Sequence, residues 1–332
     1  LEDVDTVYSH LLQLNKCYQA MAPNNKIVVF TDDMNVRKAF YALVYNSSRT
    51  GLVVDSLQFK PIGVLSATDF IMVLMKLWKF RTAITILKGG VALSEDECER
   101  TDISTMPISQ WKEHLRVDGR LKEFQTIDIN DSLYAAAARL ADSRIHRMPV
   151  VEEETGDCMF LITHRRLLHF IWQHAALLPK PPYLRRSVKS LSIGTWTNLK
   201  YVAEETPLID ALDILINWEI SGVPVLKDLD SMEVVDVYTR FDAISVAFSD
   251  GRFEDLSMKV QEALALRLTL TGRTEGVVTV PEDTDLWSLL EVFVKKNVHR
   301  IFAVDSRRRL KGLISLTDII NFLVLRQSKP AN

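Results

Sequence analysis

The apolar residues of the chain recur in a fixed order of short runs and amphipathic stretches. In the first occurrence an apolar run at residues 27–30 precedes a helical pattern at 36–44, and apolar runs follow at 51–54 and 62–65. Ser66-Ala67-Thr68-Asp69 then opens an apolar helix, because Ser and Asp are favoured at helix starts. The pattern predicts a β-α-β-β-α unit whose continuous apolar strands are typical of strands covered on both faces.

The same order returns three more times, at residues 125–172, 201–248 and 277–325. One such unit is too small to bury both of its faces, so we expect the units to pair and share a core. The sequence therefore predicts an α/β protein of the α+β type. We expect an N-terminal helix at 1–21, repeats at 22–80, 121–177, 192–250 and 251–328, and linkers at 81–120 and 178–191, with a linker helix included at the start of the fourth repeat.

The composition and the net charge of the chain argue against several classes of function. Hydrophobic residues make up 47% of the chain, charged residues make up 25%, and the net charge is -3. This balance is typical of a globular protein and gives no overall attraction to nucleic acid or to a membrane surface. The three cysteines form no zinc or disulfide pattern, and no apolar run reaches the roughly 18 residues that span a bilayer. The acidic, amphipathic start is not typical of a signal peptide. We expect a reduced, cytoplasmic setting, with the nucleus as a second location.

Three carboxylates occupy equivalent positions directly after an apolar strand, namely Asp69, Asp242 and Asp318. A carboxylate there can accept two hydrogen bonds from the vicinal hydroxyls of a ribose. The plainer interpretation is an Asp that stabilises a helix N-terminus, but its recurrence in three repeats favours a ligand. Arg166 stands at the equivalent position of the second repeat and cannot accept hydrogen bonds. We call these positions the first to fourth slots in chain order.

Cationic residues lie beside these slots and at the strand starts of the repeats. Strands of paired repeats meet near one axis, so we expect these cations to converge and to bind phosphate. The alternative is charge scattered over the surface. The residues concerned are Arg49, His146, Arg147, Arg165, His299 and Arg300.

The repeat order and four segments together resemble CBS repeats, and the whole set resembles the gamma subunits of AMP-activated protein kinase. The segments are Ile145-His146-Arg147-Met148-Pro149-Val150, Thr163-His164-Arg165-Arg166, Ile193-Gly194-Thr195-Trp196 and Val298-His299-Arg300. The resemblance covers nearly the full chain. It implies two Bateman modules arranged as a flat disc, no catalytic cofactor, and the ligands AMP, ADP and ATP. It also implies a catalytic alpha subunit and a scaffold beta subunit as partners.

The resemblance further implies which residues surround the nucleotides. Arg49, Arg165, Ser221, Thr239 and Asp242 match family positions around one nucleotide. Val64, Leu65, Ser66, Ala67, Thr68, Asp69, His146 and Arg147 match positions around another, and Thr195, Ser315 and Asp318 match the third. Further expected contacts are Gln125, Lys200, Gly222, Arg240, Phe241, Arg267, His299, Arg300, Leu316 and Thr317. Lys200 stands where a small residue is common, and Thr50-Gly51-Leu52-Val53 replaces a run of two small residues and Pro.

Other function classes remain open to different degrees. The histidines form no metal-binding pair, and neither a nucleophile elbow nor a phosphate-binding glycine loop is present, which argues against an enzyme. A CBS regulator of another protein that binds a different adenosyl ligand, such as S-adenosylmethionine, is one alternative. A gamma-like subunit that is purely structural is the other.

Overall fold

The strands of the protein fall into four equivalent sets. A computed structural model describes residues 4–94, 97, 102–243, 256–271 and 276–326. Within these residues the strands are β1 Val28–Thr31, β2 Thr50–Val54, β3 Pro61–Ser66, β4 Ile127–Asp128, β5 Arg147–Val151, β6 Cys158–Thr163, β7 Val202–Ala203, β8 Gly222–Leu226, β9 Val234–Thr239, β10 Thr279–Pro281, β11 Arg300–Val304 and β12 Leu310–Ser315.

The helices follow the same repeating order. They are α1 Val7–Leu14, α2 Val36–Tyr45, α3 Ala67–Leu87, α4 Ile108–Val117, α5 Leu133–Asp142, α6 His164–His174, α7 Leu208–Asn217, α8 Val260–Thr271, α9 Leu286–Lys296 and α10 Leu316–Ile320, which a π-helix continues over Asn321–Arg326. Short 3₁₀ turns cover Val4–Thr6, Cys17–Ala20, Ile103–Thr105 and Pro182–Arg185.

Each repeat contributes one three-stranded sheet with the same topology. The first strand pairs in parallel with the second, which pairs antiparallel with the third, in the orders β1-β2-β3, β4-β5-β6, β7-β8-β9 and β10-β11-β12. A helix makes the crossover between each parallel pair, as parallel pairing requires. The antiparallel register shifts at the end of the second strand in every sheet, at Val53/Val54 in the first. The predicted α/β fold and fourfold repeat are confirmed.

The two large hydrophobic clusters each join repeats that are not neighbours in sequence. One cluster of buried residues combines repeat one with repeat three, and a second combines repeat two with repeat four and α1. A small third cluster joins repeats three and four through residues such as Leu226 and Phe302. The amphipathic α1 buries Tyr8 and Leu12 in the second large cluster. The three clusters together therefore connect all four repeats.

The segments predicted as linkers are partly helical and partly buried. α3 extends to Leu87, and α4 lies within the segment 81–120, where Trp111 is 1% exposed. The segment 178–191 contains a 3₁₀ turn that buries Tyr183 and Leu184. The closing helix predicted for repeat three follows Asp242 and ends within the repeat at 201–248, so it falls largely outside the described residues. No helix in the described ranges is both long and apolar enough to span a bilayer.

Candidate functional site

Three strand-to-helix junctions hold a carboxylate in the same way. β3, β9 and β12 each end in Ser or Thr, and an Asp follows three positions later. Oδ2 of the Asp accepts the backbone N–H and the hydroxyl of that residue, at 2.8 and 3.0 Å in repeat one, 2.7 and 2.6 Å in repeat three, and 2.8 and 2.6 Å in repeat four. This pairing caps the helix and fixes the carboxylate, while Oδ1 stays outside it. The pairs are Ser66 with Asp69, Thr239 with Asp242 and Ser315 with Asp318.

The second slot is organised differently. Arg166 donates from Nη1 to the carbonyl oxygen of Ala20 at 3.1 Å and from Nη2 to Oδ1 of Asn25 at 3.0 Å. Its guanidinium lies over the ring of Phe160, 5.1 Å from the centroid. The arginine therefore holds the segment after the N-terminal helices against the place that a carboxylate occupies in the other repeats.

Two arginines at equivalent strand starts each reach across to a neighbouring repeat. Arg147, the first residue of β5, donates from Nη1 to Oγ1 of Thr50 in repeat one at 2.7 Å. Arg300, the first residue of β11, donates from Nη2 to Oγ of Ser221 in repeat three at 2.5 Å. The chain thus places the same cation–hydroxyl pair twice, once between repeats one and two and once between repeats three and four.

Three further cations complete the network around the centre. Arg165 places Nη2 2.8 Å from Nε2 of His299 in repeat four. Arg240 donates from Nη1 to Oγ1 of Thr68 in repeat one at 2.8 Å. Arg49 lies over the ring of Phe241, 5.4 Å from the centroid. Cations from all four repeats therefore lie around one centre, where Arg240 of repeat three joins those that were expected to converge.

Burial and mutual repulsion lower the pKa of the groups at this centre. Burial, followed by repulsion from His164, Arg240, Lys122 and Arg147, lowers the pKa of His146 to about 3. Burial lowers the pKa of His164 to about 4. The pKa of His299 lies well below its ordinary value, because burial and the charges of Arg49, Arg165, Arg300 and Arg147 act together. The histidines are consequently neutral at pH 7, and the arginines carry the charge.

Burial also lowers the pKa of the central arginines, but they stay protonated at pH 7. Burial, and then repulsion from neighbouring cations that include Arg49, lowers the pKa of Arg147 and of Arg300 to about 10. Two buried nitrogen atoms in this group, Nε2 of His164 and Nε of Arg240, have no hydrogen-bond partner within the described part of the chain. Concentrated positive charge and the unpaired N–H donor of Arg240 are features that a bound anion would compensate.

A large cavity of about 1760 Å³ lies between the repeats. A cavity for one small ligand is typically about 300–1,000 Å³, so this one has room for more than one. The predicted site residues that line it are Arg49, Val64, Ser66, Ala67, Thr68, Asp69, Gln125, His146, Arg147, Arg165, Thr195, Ser221, Gly222, Thr239, Arg240, Phe241, His299, Arg300, Ser315, Leu316, Thr317 and Asp318.

Four predicted residues lie outside this lining. Leu65 is fully buried in the core. Lys200 places its Nζ 3.6 Å from the ring centroid of Trp218. Arg267 pairs with Asp236 at 2.8 Å and lies 3.7 Å from Asp242, which is 6% exposed. A core position, a cation–π contact and a buried ion pair account for these placements.

Gly222 is the first residue of β8, and its surroundings leave no room for a larger residue. A Cβ atom at this position would collide with the guanidinium of Arg300. Arg300 is half-buried there and reaches Ser221 beside the glycine. The glycine therefore makes room for one of the central cations.

The cavity lining also contains residues that were not predicted from sequence, and two of them are close to the slots. His164 lines the cavity, although only its neighbours in the segment Thr163-His164-Arg165-Arg166 were assigned a role. Lys112 of α4 also lines the cavity, and its Nζ lies 3.3 Å from Oδ1 of Asp69. The apolar spacing of Ile108, Trp111 and Leu115 is the signal that could have revealed this helix.

Comparison with known proteins agrees with this architecture. The CBS domain family matches residues 120–173, 188–249 and 273–325. The chain belongs to the CBS domain family. Among curated proteins, it is 35% identical over 319 residues to the 5'-AMP-activated protein kinase subunit gamma-3 of Sus scrofa, covering 96% of this chain and 58% of that protein. It is also 35% identical over 319 residues to the gamma-3 subunit of Homo sapiens, covering 96% of this chain and 61% of that protein. The chain therefore spans about three fifths of the length of these relatives.

A solved structure supports the fold independently. A protein of Methanocaldococcus jannaschii, described as a candidate archaeal homologue of the gamma subunit of AMPK, superposes with a TM-score of 0.70. The match covers 93% of this chain and 100% of that protein at 16% identity. At this identity the likeness concerns the fold.

Proposed function

We propose that the chain is the adenine-nucleotide-binding regulatory subunit of an AMP-activated protein kinase, and that it senses the balance of AMP, ADP and ATP. The observation that carries the proposal is the convergence of cations from all four repeats on one cavity that also contains the carboxylates of Asp69 and Asp318. The gamma-3 relatives, matched over 96% of this chain, support the assignment to this kinase.

The carboxylates suit the ribose of a nucleotide, and the arginines suit its phosphates. Oδ1 of Asp69 or Asp318 can accept hydrogen bonds from the ribose hydroxyls, because Oδ2 is already held by the helix cap. The guanidinium groups of Arg147 and Arg300 can bind phosphate through paired N–H donors. Since the cations lie between the slots, one arginine can bind the phosphates of nucleotides in different slots.

The third slot relies on a different set of contacts. Asp242 lies outside the lining of the cavity, whereas Ser221, Thr239 and Arg49 line it. A nucleotide at this slot would be held by those groups, unless Arg267 released the carboxylate. The second slot contributes no carboxylate, because Arg166 stands there and binds Ala20 and Asn25. We therefore propose at most three bound nucleotides.

Regulation of the kinase would depend on partners. The relatives are named as subunits of a protein kinase, so we propose a catalytic alpha subunit and a scaffold beta subunit as partners of this chain, in the cytoplasm. The role is regulatory rather than catalytic. AMP and ATP share adenine and ribose, so discrimination between them must arise at the phosphates, near Arg49, Arg147 and His299. A partner segment that contacts this region would bind one liganded form better than the other.

Titration calorimetry with AMP, ADP, ATP and S-adenosylmethionine tests the proposal. We expect the three nucleotides to bind and to compete, and Asp318→Asn to weaken the binding of AMP. Asp285→Asn is a matched control, because Asp285 caps α9 by accepting from the backbone N–H of Ser288 and lies outside the cavity lining. Tighter binding of S-adenosylmethionine than of AMP would indicate another adenosyl ligand, and no binding of any compound would indicate a structural subunit.

A further inference from the structure

The first slot contains a cation that comes from outside its own repeat. α4 lies between repeats one and two, and its apolar residues Ile108, Trp111 and Leu115 are 0–2% exposed in the core that repeats one and three share. The start of the helix is bound to repeat one, since the backbone N–H of Ile108 donates to Met34 at 2.9 Å. The helix therefore has a fixed position, and Lys112 extends from it into the cavity.

Lys112 already binds the carboxylate oxygen that would accept hydrogen bonds from a ribose. Its Nζ donates to the carbonyl oxygen of Val64 at 2.5 Å and lies 3.3 Å from Oδ1 of Asp69. Oδ2 of the same carboxylate already accepts from Ser66. Both oxygens of Asp69 are thus engaged, and a vicinal diol at this slot competes with Lys112 for Oδ1.

The other slots differ in this respect. Arg267 of α8 approaches Asp242 at 3.7 Å but is closer to Asp236, at 2.8 Å. Asp318 forms no ion pair within the described part of the chain, so its Oδ1 has no cationic competitor there. The three capped carboxylates therefore differ in how closely a cation from a neighbouring helix approaches them: Lys112 is close to Asp69, Arg267 is farther from Asp242, and no cation pairs with Asp318 within the described residues.

We propose that Lys112 is a specificity-determining residue of the first slot, where it competes with the ribose of the ligand for the carboxylate of Asp69. The proposal rests on the proposed function, because it takes a ribose-containing ligand as given. Lys112 has a flexible stem and a compact charge, so it can leave Oδ1 when a diol arrives and remain near the phosphate end. This favours a phosphorylated ligand over an uncharged nucleoside, since only the phosphate compensates the displaced ammonium group.

The test measures the binding event that belongs to the first slot, which is identified as the event that Asp69→Asn removes. Calorimetry of this event with adenosine and with AMP is compared for Lys112 and for Lys112→Met. We expect Lys112→Met to bind adenosine about two- to fivefold more tightly, the effect of removing one partly exposed ion pair. The gain for AMP should be smaller, because a favourable charge near the phosphate is lost as well.

Lys76→Met is the matched control. Lys76 pairs with Asp118 at 3.1 Å and is about as exposed as its partner, and neither residue lines the cavity. Its substitution should leave the binding of adenosine unchanged. If Lys112→Met binds adenosine no more tightly than the chain with Lys112 does, while Lys76→Met binds it normally, the inference about Lys112 is overturned. The proposed function would not be affected by this result.

A second measurement does not depend on the folding of a variant. In a crystal structure of the unmodified chain with adenosine at the first slot, Nζ of Lys112 should lie beyond about 4 Å from Oδ1 of Asp69, the usual limit of an ion pair. A ribose bound at Asp69 with the 3.3 Å contact retained would overturn the inference. Failure of the unmodified chain to bind AMP at any slot would instead overturn the proposed function, and this inference with it.

Discussion

Arg165 of the second repeat and His299 of the fourth lie 134 positions apart in the chain, yet Nη2 of the arginine is 2.8 Å from Nε2 of the histidine. The guanidinium can only donate, so Nε2 accepts, and the imidazole is neutral. This agrees with the lowered pKa of His299. The contact ties the two halves of the chain together at the place where we propose that phosphates bind.

The first prediction concerns the sensing of phosphate. Arg49→Gln and His299→Ala should change the response of the reconstituted kinase complex to the ratio of AMP to ATP, because only the phosphates differ between the two ligands. A coupling free energy of about 1–3 kcal/mol corresponds to a 5–150-fold effect. The measurement is kinase activity across an AMP:ATP titration, with the melting temperature as control. A normal response from both variants with an unchanged melting temperature would show that the signal does not pass through these residues.

The second prediction concerns the dependence of stability on pH. His146 and His164 have folded-state pKa values of about 3 and about 4, below the ordinary value of 6.5. The unfolded chain therefore binds more protons than the folded chain between these values. The stability from the neutral histidines is complete above pH 6.5 and is lost as the pH falls towards 4, by up to about 1.4 kcal/mol per pH unit for each histidine.

Chemical denaturation at pH 7 and at pH 5 measures this effect. His146→Gln should reduce the loss of stability between the two pH values, whereas His10→Gln, at an exposed position of α1, should not. Addition of phosphate should raise the stability at both pH values, because an anion that binds only the folded chain, at the central arginines, shifts the folding equilibrium by mass action. The same loss of stability in His146→Gln as in the unmodified chain would be inconsistent with the role assigned to this histidine.

The third prediction concerns the fourth slot. Asp318→Asn keeps an oxygen that can cap α10 but removes the negative charge beside the ribose. Hydrogen bonds to a charged group are worth about 1.5–3 kcal/mol, so AMP binding at this slot should weaken by about ten- to 150-fold. Resolved calorimetric titrations measure the change, and Asp285→Asn provides the control. Retention of all binding events at their original affinities would argue against a ribose at Asp318.

The fourth prediction concerns the number of nucleotides. Arg166→Asp restores a carboxylate at the second slot, but the segment that contains Ala20 and Asn25 still lies against it. The variant should bind no more than three nucleotides, and it should melt at a lower temperature because the contacts to that segment are lost. Mass spectrometry of the intact complex with AMP counts the ligands. A fourth bound nucleotide in this variant would show that Arg166 alone closes the slot.

The repeats and the central cations could be predicted from sequence because they depend on local signals. Each Ser or Thr followed by Asp after an apolar strand is a helix cap, and the cap geometry fixes the carboxylate in the structure. Arg147 and Arg300 stand at the first position of equivalent strands, so their placement follows from the register of the sheets. These residues needed no knowledge of how the repeats pack.

The partners of these residues could not be predicted, because they depend on packing between repeats. The resemblance led us to expect nucleotide contacts from Arg267 and Lys200, but Arg267 pairs with Asp236, and Lys200 lies over Trp218. Lys112 was missed because the segment 81–120 was interpreted as a linker. Which repeats share a core also depends on long-range packing, and the structure joins repeat one with three and two with four.

A crystal structure of the chain grown with AMP would show directly whether and where the nucleotide binds. We expect nucleotide in the cavity between the repeats, with ribose hydroxyls on Oδ1 of Asp69 or Asp318. We also expect a phosphate within hydrogen-bonding distance of the guanidinium of Arg147 or Arg300. A cavity without nucleotide at saturating AMP, or a nucleotide whose phosphate contacts none of the central cations, would contradict this expectation.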